Sequence, residues 1–214
     1  MKFYQLFAGV MVVVLLAACK KEKSQEEPVV QNTCDYAPYT TGSSFAYQQV
    51  AVSSPDTFYY TLQVMGDSVV NGEQFRVLED DAGSGMSLFR CGGGSYVQLA
   101  DIAAVSNVPS NVVKTEYLKE NVALGGGWQE QFPINLPIVG DVQLTVDYTI
   151  MQKGTSKTVL GTVFNNVIGV RMEVSVPPYL PPTELSTNYY AKGVGLIQLD
   201  TDTDTTRLQS YAIR

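Results

Sequence analysis

The sequence predicts a mainly β fold: a single antiparallel, strongly curved sheet or half-open barrel of about ten to twelve strands, with little helix. Three observations predict it. Apolar and β-branched residues recur in short runs broken by Gly, Pro, Asn and Asp. One run, residues 142–152, alternates between apolar and polar positions. No strand pattern alternates with helical stretches of about 10–15 residues, which a doubly wound α/β fold needs. A chain of 214 residues, 45% apolar and 16% charged, can build one well-cored domain.

The elements follow in order. Residues 45–52, 58–65 and 73–78 read as three antiparallel strands, and Asn71-Gly72 supplies the positive φ that a tight hairpin turn demands. Residues 86–91 and 95–99 flank Gly92-Gly93-Gly94, a second hairpin. Residues 97–105 are the one place where a helical turn or two fits. Gly125-Gly126-Gly127 lacks the Lys-Ser/Thr of a phosphate loop and reads as a turn into a strand that begins near Trp128, the only tryptophan. In 142–152, Val142, Leu144, Val146, Tyr148 and Ile150 share one face, as in a half-buried strand. Residues 167–176, 185–191, 196–200 and 206–213 complete the set, with a Pro-rich break at 177–182. Gly193 and Gly195 read as small residues that let another backbone come close or accommodate a bulge.

The amino terminus is an address. Lys2 precedes an apolar run, residues 6–18, that is shorter than the roughly 20 residues of a membrane span and is followed by Lys20-Lys21-Glu22-Lys23. Leu16-Ala17-Ala18-Cys19 resembles the bacterial lipobox. That resemblance implies cleavage before Cys19, acylation (including palmitate) of Cys19, and a protein tethered to a membrane through its N-terminal lipid. The expected organisation is a signal peptide over 1–18, an acylated cysteine with a polar linker over 19–31, and a β-rich domain over 32–214. Lys20 at the position after the cysteine differs from the aspartate of inner-membrane retention signals, so the resemblance implies the outer membrane of a bacterial envelope.

A second resemblance spans most of the mature chain. Gly42-x-x-Phe45-x-Tyr47, Gly66-Asp-Ser-Val-Val-Asn-Gly72, residues 163–167, Tyr189-Tyr190-Ala191-Lys192-Gly193-Val194-Gly195 and Leu208-Gln-Ser-Tyr211 are similar to a group of uncharacterised envelope lipoproteins of Bacteroidota. It implies a half-barrel or curved sheet shaped like lipoprotein-carrier domains, and it implies no reaction.

The chemistry narrows by subtraction. The chain contains no histidine, which removes His-based acid–base catalysis, Ser-His-Asp and Cys-His pairs and the commonest zinc sites. Gly-x-Ser-x-Gly, Ser-x-x-Lys and Asp-Thr/Ser-Gly are also missing. A net charge of -7 speaks against nucleic acid. No metal, cofactor or catalytic residue is assigned. Asp200-x-Asp202-x-Asp204 begins like a calcium loop but has Thr205 and Tyr211 where glycine and glutamate belong, and reads as a hairpin tip. With Cys19 given to lipid, Cys34 and Cys91 are the candidate disulfide in an exported protein, two unrelated thiols being the other reading. Trp128, Tyr179 and Tyr189 are the candidate ligand-facing aromatics.

The expectation is therefore a lipid-anchored, non-enzymatic envelope lipoprotein that binds an apolar or glycan-like ligand, or an envelope protein partner. The alternatives are a histidine-free hydrolase using two carboxylates and an accessory subunit of an outer-membrane complex.

Overall fold

Twelve strands, every pair antiparallel, join in one sheet. The computed structural model describes residues 34–54, 56–81, 85–101, 112–136 and 139–214, and no helix occurs among them. The strands are β1 (Ser44–Ala51), β2 (Thr57–Val70), β3 (Glu73–Asp80), β4 (Met86–Gly92), β5 (Ser95–Asp101), β6 (Val112–Lys119), β7 (Gly127–Leu136), β8 (Gly140–Val159), β9 (Thr162–Val176), β10 (Leu180–Ala191), β11 (Gly195–Asp200) and β12 (Asp204–Ala212).

The order across the sheet is β6-β5-β4-β3-β2-β1-β12-β11-β10-β9-β8-β7. Two up-and-down meanders thus meet where the first strand pairs with the last, from Ser44 opposite Ala212 to Ala51 opposite Asp204. The outer members of this order, β6 and β7, follow each other in sequence. Their approach curls the sheet into a nearly closed barrel, the arrangement that hides edge strands from other chains. Alternation fixes which side faces in: Leu144, Val146, Tyr148 and Ile150 are buried while Gln143 is exposed. Tight turns place Asn71 (52°) and Gly72 (80°), residues that tolerate positive φ, between β2 and β3, and Leu160 (48°) with Gly161 (83°) between β8 and β9, where the leucine is held in a conformation it rarely adopts.

Bulges bend the longer strands. The β1/β12 register shifts between Ala46 and Tyr47, and the β10/β11 register shifts between Tyr189 and Tyr190. The interior divides into two apolar clusters. One gathers Tyr96, Leu118, Leu144, Ile150, Ile168 and Tyr190; the other gathers Phe45, Tyr47, Val64, Leu78, Phe164, Ile197 and Leu208. Tyr39 and Phe89 pack against both.

Three readings need correction. The helical turn expected from residue 97 is absent from its described part: β5 stays extended to Asp101 because β4 and β6 pair with it on both sides, and residues 102–105 lie outside the described residues. The Pro-rich stretch is not a complete break, since β10 begins at Leu180, opposite Val176. The register jump from Leu180 to Thr183 leaves Pro181 and Pro182 without ladder partners, the condition under which a sheet accepts proline. Strand β6 was not expected, because Lys114, Glu116 and Lys119 interrupt its apolar pattern.

Candidate functional site at the strapped end of the barrel

Residues 34–43 precede β1 and cross one end of the barrel as a strap. Each contact along it has a local cause. Cys34 is bonded to Cys91 at the end of β4, with Cα atoms 5.6 Å apart. The Asp35 carboxylate pairs with Lys192 at 2.8 Å, and the Asp35 carbonyl accepts the Gly193 N–H at 2.6 Å. That carboxylate, hydrogen-bonded to the ammonium, holds the Lys192 pKa above its ordinary value. The Tyr36 N–H donates to the Tyr96 hydroxyl at 3.2 Å. Tyr39 sets its ring edge-on to Phe45 (5.4 Å) and Phe89 (5.3 Å). Thr40 donates to the Arg214 carbonyl at 2.7 Å. The strap therefore ties β4 and β5 to the β10–β11 turn, strands that stand far apart in the sheet order.

Gly193 and Gly195 sit at φ of 76° and 102°, and a Cβ on Gly195 would meet the Tyr39 ring at 3.4 Å. The backbone that comes close to them is the strap.

Between strap and barrel wall lies an open cleft of about 580 Å³, lined by Cys34, Ala37, Pro38, Tyr39, Thr40, Asp67, Gly72, Glu73, Gln74, Phe75, Arg76, Phe89, Arg90 and Cys91. Its volume falls in the range of small-molecule sites. Phe89, Tyr39 and the disulfide supply apolar surface, with Phe75 buried behind them. The charged residues are paired: Arg76 with Asp67 at 3.0 Å and with the Thr41 hydroxyl at 2.8 Å, and Arg90 with Glu73, which also binds Lys114 at 2.7 Å. The hydrogen bond from Lys114, with Arg90 beside it, holds the Glu73 carboxyl below its ordinary pKa. Both carboxylates of the cleft thus face cations. Among the described residues, no cluster of three or more acids and cysteines could hold a metal ion.

The sequence-derived candidates fall in different places. Cys19 lies outside the described residues. Trp128 is half-buried on β7, stacked 4.8 Å from Tyr148 with its indole N–H on the Glu116 carbonyl. Tyr179 is exposed in the β9–β10 turn at the end opposite the strap. Tyr189 is half-buried in β10 with the Lys157 ammonium 3.6 Å above its ring. Asp200, Asp202 and Asp204 flank the β11–β12 turn, where the Thr201 hydroxyl accepts the N–H groups of Thr203 and Asp204. The cleft residues Arg76, Arg90 and Phe89 escaped sequence reading because they belong to two strands, β3 and β4, and meet the strap only in the folded chain, and no spacing links those segments.

No family model matches the chain, and no curated protein matches it in sequence. Solved structures with a similar course include a Bacteroides fragilis protein provisionally assigned as exported with a YmcC-like fold, at a TM-score of 0.46 and 11% identity, covering 82% of this chain and 97% of that one. Another is a Parabacteroides distasonis protein provisionally assigned as a lipoprotein, at a TM-score of 0.47 and 14% identity, covering 85% of this chain and 100% of that one. At these values the likeness says nothing of function.

Proposed function

We propose that this protein is a lipid-anchored, non-enzymatic lipoprotein of a bacterial envelope that binds an amphiphilic, glycan-like ligand in the strap cleft. The observation that carries the reading is the cleft itself: about 580 Å³ with aromatic surface from Phe89 and Tyr39 and a rim of Arg76 and Arg90. Apolar surface beside guanidinium donors suits a ligand with sugar-like faces and hydroxyl or anionic groups. The Leu-Ala-Ala-Cys19 motif supports the anchor. The disulfide at Cys34 would join the tether firmly to β4.

Native mass spectrometry of the protein extracted from its own membranes tests both parts. The expected spectrum shows acyl mass on Cys19 and a non-covalent adduct that disappears on denaturation and is lost in Arg90→Gln or Phe89→Ala. Membrane retention of Cys19→Ala at unchanged mass would remove the anchor from the proposal, and an adduct indifferent to both cleft variants would remove the cleft.

A further inference from the structure

We infer that residues 38–41 of the strap form a flap, and that a ligand entering the cleft places a flat, hydroxylated ring where Tyr39 now lies, with its hydroxyl on that of Tyr117. This rests on the cleft reading above and names what the ligand meets beneath the strap.

The backbone of the flap is bonded within the strap. The Tyr39 N–H donates to the Ala37 carbonyl at 2.8 Å, the Thr40 N–H to the Pro38 carbonyl at 3.0 Å, and the Ser43 N–H to the Thr40 carbonyl at 3.0 Å. Backbone bonds that join strap to barrel flank this segment. On one side the Gly193 N–H meets the Asp35 carbonyl and the Tyr36 N–H meets the Tyr96 hydroxyl; on the other, Gly42 and Ser43 bond to Val64. Residues 38–41 therefore swing between two fixed ends without breaking a strand ladder. Side chains hold them down: the Tyr39 ring on Phe45 and Phe89, the Thr40 hydroxyl on the Arg214 carbonyl, and the Thr41 hydroxyl on the Arg76 guanidinium. Arg76 also lines the cleft, so a ligand anion that claims it competes with Thr41 for the same donor.

Beneath the flap is an unused hydrogen-bonding group. Among the described residues, Tyr39 and Phe89 alone pack against both interior clusters. The Phe89 ring stands edge-on to Tyr117 at 5.8 Å, and Tyr117 is tilted against Tyr190 at 5.5 Å. Tyr117 is 7% exposed, and its hydroxyl has no hydrogen-bond partner among the described residues. That hydroxyl has Tyr39, Tyr190, Tyr96 and Tyr47 as its electrostatic neighbours. Two of these are engaged elsewhere: the Tyr47 hydroxyl donates to the Leu196 carbonyl at 3.0 Å and the Tyr96 hydroxyl to Glu120 at 3.2 Å. Burying a hydroxyl unpaired is unfavourable, and phenylalanine would fill the same space without that penalty. A ligand hydroxyl both gives and takes a hydrogen bond, so it satisfies the phenol in either sense. Tyr39, itself a flat hydroxylated ring, shows the shape that the place accepts.

The test measures binding of naphthalenesulfonate and hydroxynaphthalenesulfonate, by their own fluorescence, to the full chain in phosphatidylcholine nanodiscs, with empty nanodiscs subtracted. Tyr39→Ala should bind both about tenfold more tightly than the parent, whose own ring competes with them. In that background the hydroxylated probe should be favoured about fivefold, the worth of one hydrogen bond, and Tyr117→Phe should bring the preference to about one. Fluorotyrosine resonance spectra of the parent give a readout that does not depend on the folding of Tyr39→Ala. There the Tyr39 signal, assigned through Tyr39→Phe, should move to the value of solvated tyrosine as the probe saturates. Affinities that ignore Tyr39→Ala, a hydroxyl preference that survives Tyr117→Phe, or a stationary Tyr39 signal would overturn the flap. Where such binding still weakens in Arg90→Gln, the cleft reading stands without the flap. No binding, or binding indifferent to Arg90→Gln, removes the cleft reading and the flap with it.

Discussion

The indole N–H of Trp128 donates to the backbone carbonyl of Glu116 at 2.8 Å, across the one junction of the barrel that no strand ladder closes. The bond has a companion: Glu130 accepts the Glu116 N–H at 3.0 Å and the Tyr148 hydroxyl at 3.0 Å. Side chains of β7 thus do for β6 what a neighbouring backbone does elsewhere in the sheet. Lys153 completes the junction from β8, donating to the carbonyls of Glu120 and Val122 at 2.7 and 2.6 Å.

Trp128→Phe should keep the stack on Tyr148 and lose the hydrogen bond, lowering stability by about 1–2 kcal/mol because the Glu116 carbonyl loses its partner. Glu130→Ala should cost about 2–3 kcal/mol, since it strips acceptors from two donors at once. Urea unfolding of the single and double variants checks this, and the pair should fall short of additivity. A Trp128→Phe midpoint equal to that of the parent would show that the junction does not depend on this bond.

The strap should come away without its disulfide. The bond closes a sequence separation of 57 residues. Cys34→Ser/Cys91→Ser should therefore lose about 4 kcal/mol on the chain-entropy account. Hydrogen exchange adds a local readout: the Gly193 amide, bonded to Asp35, should lose protection before the β8–β9 ladder does. Equal protection of that amide in both forms would mean that the strap holds by packing alone.

Gly127 should tolerate no side chain. A Cβ there would sit 2.2 Å from the Tyr148 carbonyl oxygen, and that oxygen belongs to a paired strand. Gly127→Ala should cost more than about 2 kcal/mol and disturb the β7–β8 pairing. At Gly126 the nearest atoms are 3.0 Å away on the Val122 side chain and 3.1 Å away on the Ala123 carbonyl, so Gly126→Ala should cost less. Thermal melts of the two variants would refute the steric account if their order were reversed.

Alkaline stability follows from the interior phenols. Burial pushes Tyr39, Tyr47, Tyr117, Tyr148 and Tyr190 above the ordinary tyrosine value, with Glu130 adding to the shift at Tyr148. A group whose folded pKa is raised keeps its proton in the barrel after the unfolded chain has released it. Its contribution is therefore full below about pH 10 and declines as pH rises toward the folded value. Absorbance at the tyrosinate band should rise in two stages, the second coinciding with loss of β dichroism. A single smooth titration with the barrel intact would contradict the burial of these hydroxyls.

Much of the fold was legible because strand period and turn chemistry are local. Val142 to Ile150 announced their buried face, and Asn71-Gly72 its turn, without reference to anything distant. Strand β6 was not legible: Lys114 and Glu116 make ion pairs and hydrogen bonds on a strand whose place is set by its neighbours. The cleft was illegible for the same reason, since Phe75 and Arg76 meet Phe89 and Arg90 only after β3 and β4 pair and the strap closes over them.

By itself, then, the sequence determined the class of the fold, its scale of about ten to twelve strands, the chemistry it lacks for want of histidine, and the lipobox-like motif at Cys19, all properties of composition or of residues near in sequence. Tertiary structure alone decided that β1 would lie beside β12, that the Trp128 indole N–H would meet the Glu116 carbonyl, and that the strap would close over Phe89 and Arg90. The physical reason is range. A turn or a pleat is written in a few consecutive residues, whereas closure and cleft arise only when strands far apart in the chain are brought into register.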